Sequence, residues 1–244
     1  MTIQTLPEDV LLEIFACYVD YSEGFCDWHA LIRVCRRWRN VVFASPRRLD
    51  LSILFTSTKT VRDMQDIWPE LPILIGYNNP SMVESVDNVI AALELKDRAS
   101  RIYLWDASSS VLERFIAVMQ FPFPVLRDLF LHSFDGMAPV ISESFLGGSA
   151  PRLRQLEFDG IPFPALPKLL LSAANLDRLD LQNIPHSGYI SPEAMATCLS
   201  TLTRLQELIL SFRSPQSRPD FDELSQPLPQ IGRASCRERV CLYV

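Results

Sequence analysis

Histidine and cysteine are the residue types in this chain that most readily act as nucleophiles, proton carriers or metal ligands. The three histidines, His29, His132 and His186, lie far apart in the sequence, and none is part of a nucleophile or metal-binding motif. Cys26 and His29 have the spacing of zinc ligands, but a zinc site needs about four ligands and no second pair follows. The six cysteines include no CxxC pair, which favours reduced thiols. We therefore expect neither a catalytic site nor a bound metal or cofactor.

A second group of residues is suited to binding a protein. In the middle of the chain, aromatic and charged side chains alternate with leucine and isoleucine, so they share one face of a strand. Tyrosine and tryptophan dominate interface energetics, because each joins a large apolar area to a polar group. The candidate patch consists of three aromatic residues, Tyr103, Trp105 and Phe130, flanked by three acidic ones, Glu157, Asp159 and Asp180. The alternative is that a helix or the N-terminal segment covers the aromatic side chains.

Composition excludes several other functions. The formal net charge of -6 disfavours a nucleic acid bound through its phosphates, which normally requires a basic face. The N-terminus has neither the charged nor the apolar region of a signal peptide, and no apolar run approaches the ~20 residues that span a bilayer. We expect a cytoplasmic or nuclear protein with no nucleic-acid partner and no membrane contact.

A recurring Leu-x-x-Leu-x-Leu motif defines the elements that position this patch. It begins at residues 126, 176 and 205, and a close variant begins at residue 153. The starts are separated by 27, 23 and 29 residues, which fits the period of roughly 20 to 29 residues that is typical of leucine-rich repeats. Weaker copies begin at Ala99 and Leu71, and Leu49 to Ile53 is a candidate entry strand. We expect degenerate leucine-rich repeats over residues 49–213.

Between these motifs the apolar residues take the spacing of helices. Residues 81–84 form a capping box before one helical pattern, a second pattern begins near Val111, and Ser191 opens a third. Strand and helix then alternate once per repeat, because each unit buries its apolar face only against its neighbours. The predicted fold class is α/β, with an arc of parallel strands inside and helices outside. A compact doubly wound α/β domain is the alternative.

The first 48 residues have a different, purely helical pattern. Thr5 and Glu8 form a capping box, with Pro7 in the first turn. A second helical pattern, over residues 31–42, has a basic outer face. Two short helices cannot bury enough surface to be stable alone, so the rest of the chain or a partner must cover some apolar positions. The apolar stripe of the first helix consists of Val10, Leu11, Ile14, Phe15 and Tyr18. A helical cap on the following domain is one interpretation.

Two segments within this region resemble the F-box family. They are LPEDVLLEIF at residues 6–15 and LIRVCRRW at residues 31–38, and the family pattern begins with Leu-Pro and a helix and ends near Val-Cys-Arg-Arg-Trp. The resemblance covers residues 5–48 and departs from the family in the longer link between Asp20 and His29. It implies that this F-box-like helical module binds a Skp-type adaptor and, through it, a cullin. The implied adaptor-binding residues are Leu6, Pro7, Val10, Leu11, Ile14, Phe15, Leu31, Val34 and Trp38.

A repeat arc behind an F-box implies a specific role. The chain is expected to be the substrate-recognition subunit of an SCF-type cullin-RING ubiquitin ligase, which links a bound client protein to the adaptor and contributes no catalytic group. The identity of the client is not encoded in any motif, because repeat surfaces bind through local side-chain choice. The alternative is a leucine-rich-repeat scaffold that binds proteins without any ligase attachment.

The tail at residues 214–244 carries prolines and no closing helix, so we expect it to be disordered. From Ile231 the sequence IGRASCRERV resembles a translated sequencing adapter rather than any protein family, and residues 231–244 are therefore expected to be an artefact. A genuine basic tail is the alternative interpretation.

Overall fold

Three short helices come first among the described residues. The computed structural model describes residues 6–21, 28–56, 71–78, 84–135, 137–213 and 240–243. The helices are α1 (Glu8–Tyr21), α2 (Trp28–Val34) and α3 (Arg36–Ala44). Pro7, predicted to lie in the first turn, directly precedes α1, and its carbonyl accepts a hydrogen bond from the Leu11 amide at 3.1 Å. Thr5 and Ser81, which begin the two predicted capping boxes, lie outside the described residues.

The second helical pattern, expected as one helix over residues 31–42, forms two helices. The backbone is extended at Cys35, with φ −160° and ψ 170°, between α2 and α3. Arg39 Nε donates a hydrogen bond to the carbonyl of Ile32 at 3.2 Å, which satisfies one of the acceptors at the end of α2. Leu31 on α2 and Val42 on α3 are both buried. Packing on each side of the break therefore outweighs the helical propensity of the segment.

Eight parallel strands follow in the described part of the chain, and each pairs with the next of them. They are β1 (Ile53–Phe55), β2 (Ile73–Asn78), β3 (Ala99–Ala107), β4 (Asp128–Ser133), β5 (Gln155–Asp159), β6 (Arg178–Ile184), β7 (Glu207–Phe212) and β8 (Val240–Tyr243). The order contains no reversal, whereas a doubly wound sheet changes direction at a switch point. The α/β fold class is confirmed, and the strand order is that of the predicted arc.

Helices connect most of the strands. They are α4 (Glu84–Leu93), α5 (Ser109–Val118), α6 (Leu166–Leu170) and α7 (Pro192–Thr201). The Ser191 hydroxyl accepts a hydrogen bond from the Ala194 amide at 3.2 Å, which confirms the predicted start of α7. Between β4 and β5 the chain forms a 3₁₀ turn, Phe145–Gly148, instead of the expected α-helix. Gly147 and Gly148 have positive φ values there, and an α-helix contains none.

The leucines of the repeated motif build the core. Every motif position in the copies that begin at residues 126, 153 and 176 is buried: Leu126, Leu129, Leu131, Leu153, Leu156, Phe158, Leu176, Leu179 and Leu181. In the last copy, Leu205, Leu208 and Leu210 are half-buried. The period of the motif thus predicted which side chains form the inner layer of the sheet.

Trp28 joins the helical module to the sheet. Its indole is buried, and Nε1 donates a hydrogen bond to the carbonyl of Ser52, directly before β1, at 3.0 Å. The ring also lies edge-on to Phe43, with 6.0 Å between the ring centroids. The helical module and the sheet therefore share one continuous hydrophobic core.

The last described residues differ from the expected disorder. Val240–Tyr243 form β8, in which Val240 lies opposite Leu208 of β7 and Tyr243 lies opposite Ser211. Without β8, the edge of β7 would present a row of unpaired backbone groups, and an apolar extended segment can satisfy these. The four residues lie within the segment expected to be an artefact. Residues 214–239 and residue 244, which make up the rest of the predicted disordered tail, lie outside the described residues.

Candidate protein-binding surfaces

Three of the predicted adaptor-binding residues belong to the core of the helical module. Leu11 and Phe15 on α1 are fully buried, and Leu31 on α2 is buried as well. Trp38 on α3 is half-buried against Phe15, with 4.7 Å between the ring centroids. A side chain without exposed surface is not available to a partner in this arrangement. These residues therefore shape the module, whereas other positions offer a contact surface.

The outer side of α1 is an exposed apolar stripe. Val10, Ile14 and Tyr18 follow one another at intervals of four residues and are 42%, 42% and 43% exposed. We call these three residues the α1 stripe. Pro7 and Val34, both predicted as adaptor-binding, are exposed too. Tyr18 was missing from the predicted set, although its spacing from Ile14 was the signal that could have placed it there.

Polar contacts fix the α1 stripe relative to the sheet. Arg37 on α3 donates a hydrogen bond to the carbonyl of Leu6, which is half-buried just before α1. Asp50, at the end of the module, has a positive φ of 44°. Its carboxylate pairs with Arg101 on β3 and, at 3.1 Å, with Arg127 just before β4. These contacts span β1 and β2, so the module and the sheet hold a defined mutual orientation.

The second candidate surface is the face of the sheet that carries the residues between the leucines. Strand register places these residues side by side in rows across the sheet. The middle row runs Tyr103, Phe130, Glu157, Asp180 and Ile209. We call this surface the sheet face. The alternation predicted from the sequence is present, because the leucines point to the opposite, buried side.

Aromatic rings occupy the β3–β4 part of the sheet face. The ring centroids of Tyr103 and Phe130 are 4.5 Å apart, and those of Trp105 and Phe130 are 6.2 Å apart. Burial and the nearby carboxylate of Asp128 raise the pKa of Tyr103 to about 12, so its hydroxyl stays protonated at neutral pH. Trp105 is 36% exposed. The structure brings the three predicted aromatic residues together and leaves one of them open to solvent.

Carboxylates dominate the β5–β7 part of the sheet face. Arg178 Nη2 lies 2.9 Å from Asp180 Oδ2, and Nη1 lies 2.7 Å from Glu207 Oε2. The side chain of Asp180 is 1% exposed, and its Oδ1 has no hydrogen-bond partner among the described residues. Glu157, its neighbour in the middle row, forms no hydrogen bond or ion pair within the described part of the chain. Burial, followed by the charge of Asp180, raises the pKa of Glu157.

Two β-bulges shape the carboxyl-terminal end of the sheet face. The register shifts in β3 and β6, where Asp106 and Asn183 have positive φ values of 53° and 50°. Asp106 Oδ1 lies 2.9 Å from His132 Nδ1, and Asp159 Oδ2 lies 3.7 Å from His132 Nε2. Asn183 donates a hydrogen bond to Asp159 at 2.6 Å. His132 thus connects the acidic half of the face to the aromatic half.

The six predicted patch residues form one surface, with one difference in role. Glu157 and Asp159 are partly exposed, whereas Asp180 is buried and paired with Arg178, so its side chain has almost no surface for direct contact. Arg178 and Glu207 were not among the residues predicted for the patch. The network in which Arg178 pairs with both Asp180 and Glu207 becomes evident only from the strand register.

Two further properties concern metals and membranes. The described residues contain no group of three or more histidine, cysteine, aspartate or glutamate side chains placed to hold a metal ion. Cys26 of the candidate zinc pair lies outside the described residues. In the described chain, no helix has both the length and the apolar character needed to cross a membrane.

The helical module matches a known protein-family model. No curated protein and no solved structure matches the chain. Residues 3–50 match the family model described as F-box-like, and this range contains α1, α2 and α3. The leucine-rich-repeat assignment of the sheet stays a prediction. The helical module that displays the α1 stripe is therefore an F-box-like domain.

Proposed function

We propose that the chain is the substrate-recognition subunit of an SCF-type cullin-RING ubiquitin ligase. The observation that carries this proposal is the α1 stripe, an exposed apolar surface on an F-box-like domain. Covering the exposed part of each of its side chains would contribute on the order of 1 kcal/mol. A Skp-type adaptor with an apolar groove is the partner that an F-box-like domain implies.

The residues of the helical module divide into two roles in this proposal. Val10, Ile14 and Tyr18 contact the adaptor, together with the exposed Pro7 and Val34. The buried residues act indirectly, because Leu11 and Phe15 hold α1 against α3 and so orient the stripe.

The mechanism of such a receptor is positioning. The adaptor and cullin hold a ubiquitin-charged conjugating enzyme, while the sheet face holds the client. The rate gain then comes from the raised effective concentration of client lysines near the thioester. A rigid connection between the F-box-like domain and the sheet favours a high effective concentration of these lysines. The contacts of Trp28 with Ser52 and of Asp50 with Arg101 provide such a connection. The receptor itself supplies no catalytic group.

The test is co-purification of the full chain with a co-expressed Skp-type adaptor. Val10→Asp combined with Ile14→Asp should reduce adaptor recovery at least tenfold, which corresponds to about 1.4 kcal/mol, because two carboxylates are then desolvated in an apolar contact. The melting temperature should stay within about 2 °C of the parent, since both positions are exposed and exposed substitutions cost little stability. Leu171→Asp, at an exposed apolar position after α6, is the matched control and should bind normally.

The opposite result has a defined meaning. If the intact chain recovers no adaptor, or the double variant binds like the parent, the ligase role is wrong. The sheet would then belong to a binding scaffold without ligase attachment. Leu11→Asp is unsuitable for this test, because a charge at a fully buried position would unfold the module itself.

A further inference from the structure

We infer that the sheet face binds its partner through an arginine side chain, whose guanidinium pairs with Glu157 and lies against the ring of Phe130. The inference deepens the proposed function, because it gives the chemistry of the client segment that a receptor would hold. The site is defined by the sheet face alone and does not depend on the F-box-like domain.

Negative charge exceeds positive charge on the β5–β7 part of the sheet face. Four carboxylates share the β5–β7 part of the sheet face: Glu157, Asp159, Asp180 and Glu207. Arg178 is the guanidinium among them, and it is already engaged by Asp180 at 2.9 Å and by Glu207 at 2.7 Å. Glu157 has no ion-pair or hydrogen-bond partner among the described residues. The surface therefore has the complementary charge for a cationic side chain.

A hydrogen-bond acceptor without a partner among the described residues lies below this surface. Asp180 is the direct register partner of Glu157, its side chain is 1% exposed, and Oδ1 has no hydrogen-bond partner in the described chain. Buried polar atoms without partners are uncommon, and a bound ion or polar group is one way in which such an acceptor is satisfied. A cation held by Glu157 would lie above Asp180. It would lie close to both carboxylates, with the charge of Asp180 partly balanced by Arg178, in a partly desolvated setting where Coulomb attraction exceeds its value in water.

The neighbouring rings select arginine over lysine. Phe130 is the register partner of Glu157 on the adjacent strand, and its ring packs with Tyr103 at 4.5 Å between centroids. A planar guanidinium can pair with a carboxylate through two hydrogen bonds and stack on an aromatic ring at the same time. An ammonium group is more strongly hydrated and offers no flat face.

Strand spacing sets a second feature of the partner. Tyr103 lies two strands away from Glu157, which corresponds to about 10 Å at roughly 4.8 Å per strand. A segment in polyproline II conformation rises ~3.1 Å per residue with three residues per turn, so side chains three positions apart lie about 9 Å apart on the same side. A segment of this conformation with an apolar residue three positions from its arginine would therefore reach the Tyr103–Trp105 rings.

The experiment uses the full chain and three acetylated, amidated peptides of sequence Gly-Leu-Ala-Ala-Arg-Ala-Gly, with arginine, citrulline or lysine at the fifth position. Binding is followed by the indole proton–nitrogen resonance of Trp105, assigned with Trp105→Phe. The arginine peptide should shift this resonance saturably. Citrulline keeps the shape of the side chain without its charge, and it should weaken binding about tenfold or more, which is about 1.4 kcal/mol. Lysine should also bind more weakly than arginine.

Two variants locate the site. Glu157→Gln should weaken binding of the arginine peptide about tenfold, because it removes the charged hydrogen-bond acceptor. Glu113→Gln, which removes an exposed carboxylate from α5, should leave binding unchanged. The inference fails if arginine and citrulline bind equally, if lysine binds as tightly as arginine, if Glu157→Gln binds like the parent, or if no peptide saturates the signal.

The result of the peptide-binding experiment is independent of whether the chain recovers an adaptor. Arginine-dependent binding without adaptor capture would leave the sheet face as assigned and remove the ligase role. Adaptor capture without arginine-dependent binding would keep the receptor and overturn its client chemistry.

Discussion

Leu11 and Ile14 are three residues apart on α1 and have opposite surroundings. Leu11 is fully buried against the rest of the module, whereas Ile14 is one of the exposed residues of the α1 stripe. Both are strongly apolar, so hydropathy alone does not separate them. A helix that is apolar on two sides can bury only one side within so small a module, and the other is left for a partner.

Glu157 is a polar group in a partly apolar setting, whereas Ile14 is an apolar side chain exposed to solvent. Its raised pKa means that the folded chain holds a proton on this carboxyl more tightly than the unfolded chain does. Ionisation of Glu157 therefore costs stability. The chain should gain stability from this group as the pH falls from neutrality through the raised pKa, which lies above the ordinary 4.5. The groups that set this shift besides burial are Asp180, Arg178, Asp159 and Glu207.

Glu157→Gln should thus stabilise the fold at pH 7 while it weakens arginine binding. Because the carboxyl is partly exposed and screened by solvent, we expect only a few tenths of a kcal/mol, or a rise in melting temperature on the order of 1 °C. Thermal unfolding of the variant and the parent at pH 7 and pH 4.5 measures this gain in stability. The gain should shrink at the lower pH, and a variant that is less stable than its parent at pH 7 would contradict the assignment.

At the scale of elements, the start of α5 is stabilised from another loop. Ser108, at the N-cap position, makes no capping hydrogen bond with its side chain. Asp135, after β4, accepts hydrogen bonds from the Ser109 hydroxyl at 2.6 Å and the Ser109 amide at 2.9 Å. A further bond comes from the Met137 amide at 3.1 Å. These hydrogen bonds, with those from Ser109 foremost, hold the pKa of Asp135 well below its usual range.

Asp135→Ala should lower the free energy of unfolding by about 1 kcal/mol, the usual cost of a lost helix cap. A depressed pKa means that the carboxylate stabilises the fold above the ordinary pKa of 3.8 and that this contribution is lost as the pH falls further. Urea unfolding at pH 7 and pH 3 should therefore show a smaller difference from the parent at pH 3. Asp97→Ala, in the exposed turn before β3, is the control. An unchanged difference at both pH values would exclude this role for the carboxylate.

At the scale of the whole molecule, the F-box-like domain and the sheet form one packing unit. Their buried side chains belong to a single core, and Trp28 joins them through its indole ring and its hydrogen bond to Ser52. A receptor that works by positioning benefits from such a connection, since a loose hinge would lower the effective concentration of the client.

Trp28 substitutions test this coupling. Trp28→Phe should cost about 1 kcal/mol through the lost hydrogen bond, and Trp28→Ala about 3–5 kcal/mol through the cavity that it leaves. Far-ultraviolet circular dichroism and the Trp105 indole resonance should report coincident urea transitions in the parent and in both variants. Trp105→Ala, at an exposed tryptophan, should cost under about 1 kcal/mol, as exposed substitutions usually do. Loss of helical signal before the Trp105 transition would show that the two parts unfold separately.

Much of this architecture could be predicted because it depends on local periods. The leucine spacing identified the core positions of β4, β5 and β6, and alternation placed Tyr103 and Phe130 on the sheet face. The break at Cys35 and the 3₁₀ turn at Phe145–Gly148 were not predicted. Both arise where packing and backbone conformation override the helical period of the segment.

Motif and period in the amino-acid sequence were sufficient to identify the F-box-like module, to favour the strand order of an arc, and to predict which side of β4, β5 and β6 the leucines occupy. The three-dimensional arrangement was needed to show that Ile14 is exposed while Leu11 is buried, and that Arg178 pairs with Asp180 and Glu207 while Glu157 has no partner among the described residues. Burial and charge pairing depend largely on neighbours that are distant in the chain. Strand register and helix packing bring those neighbours together, and no local pattern records them.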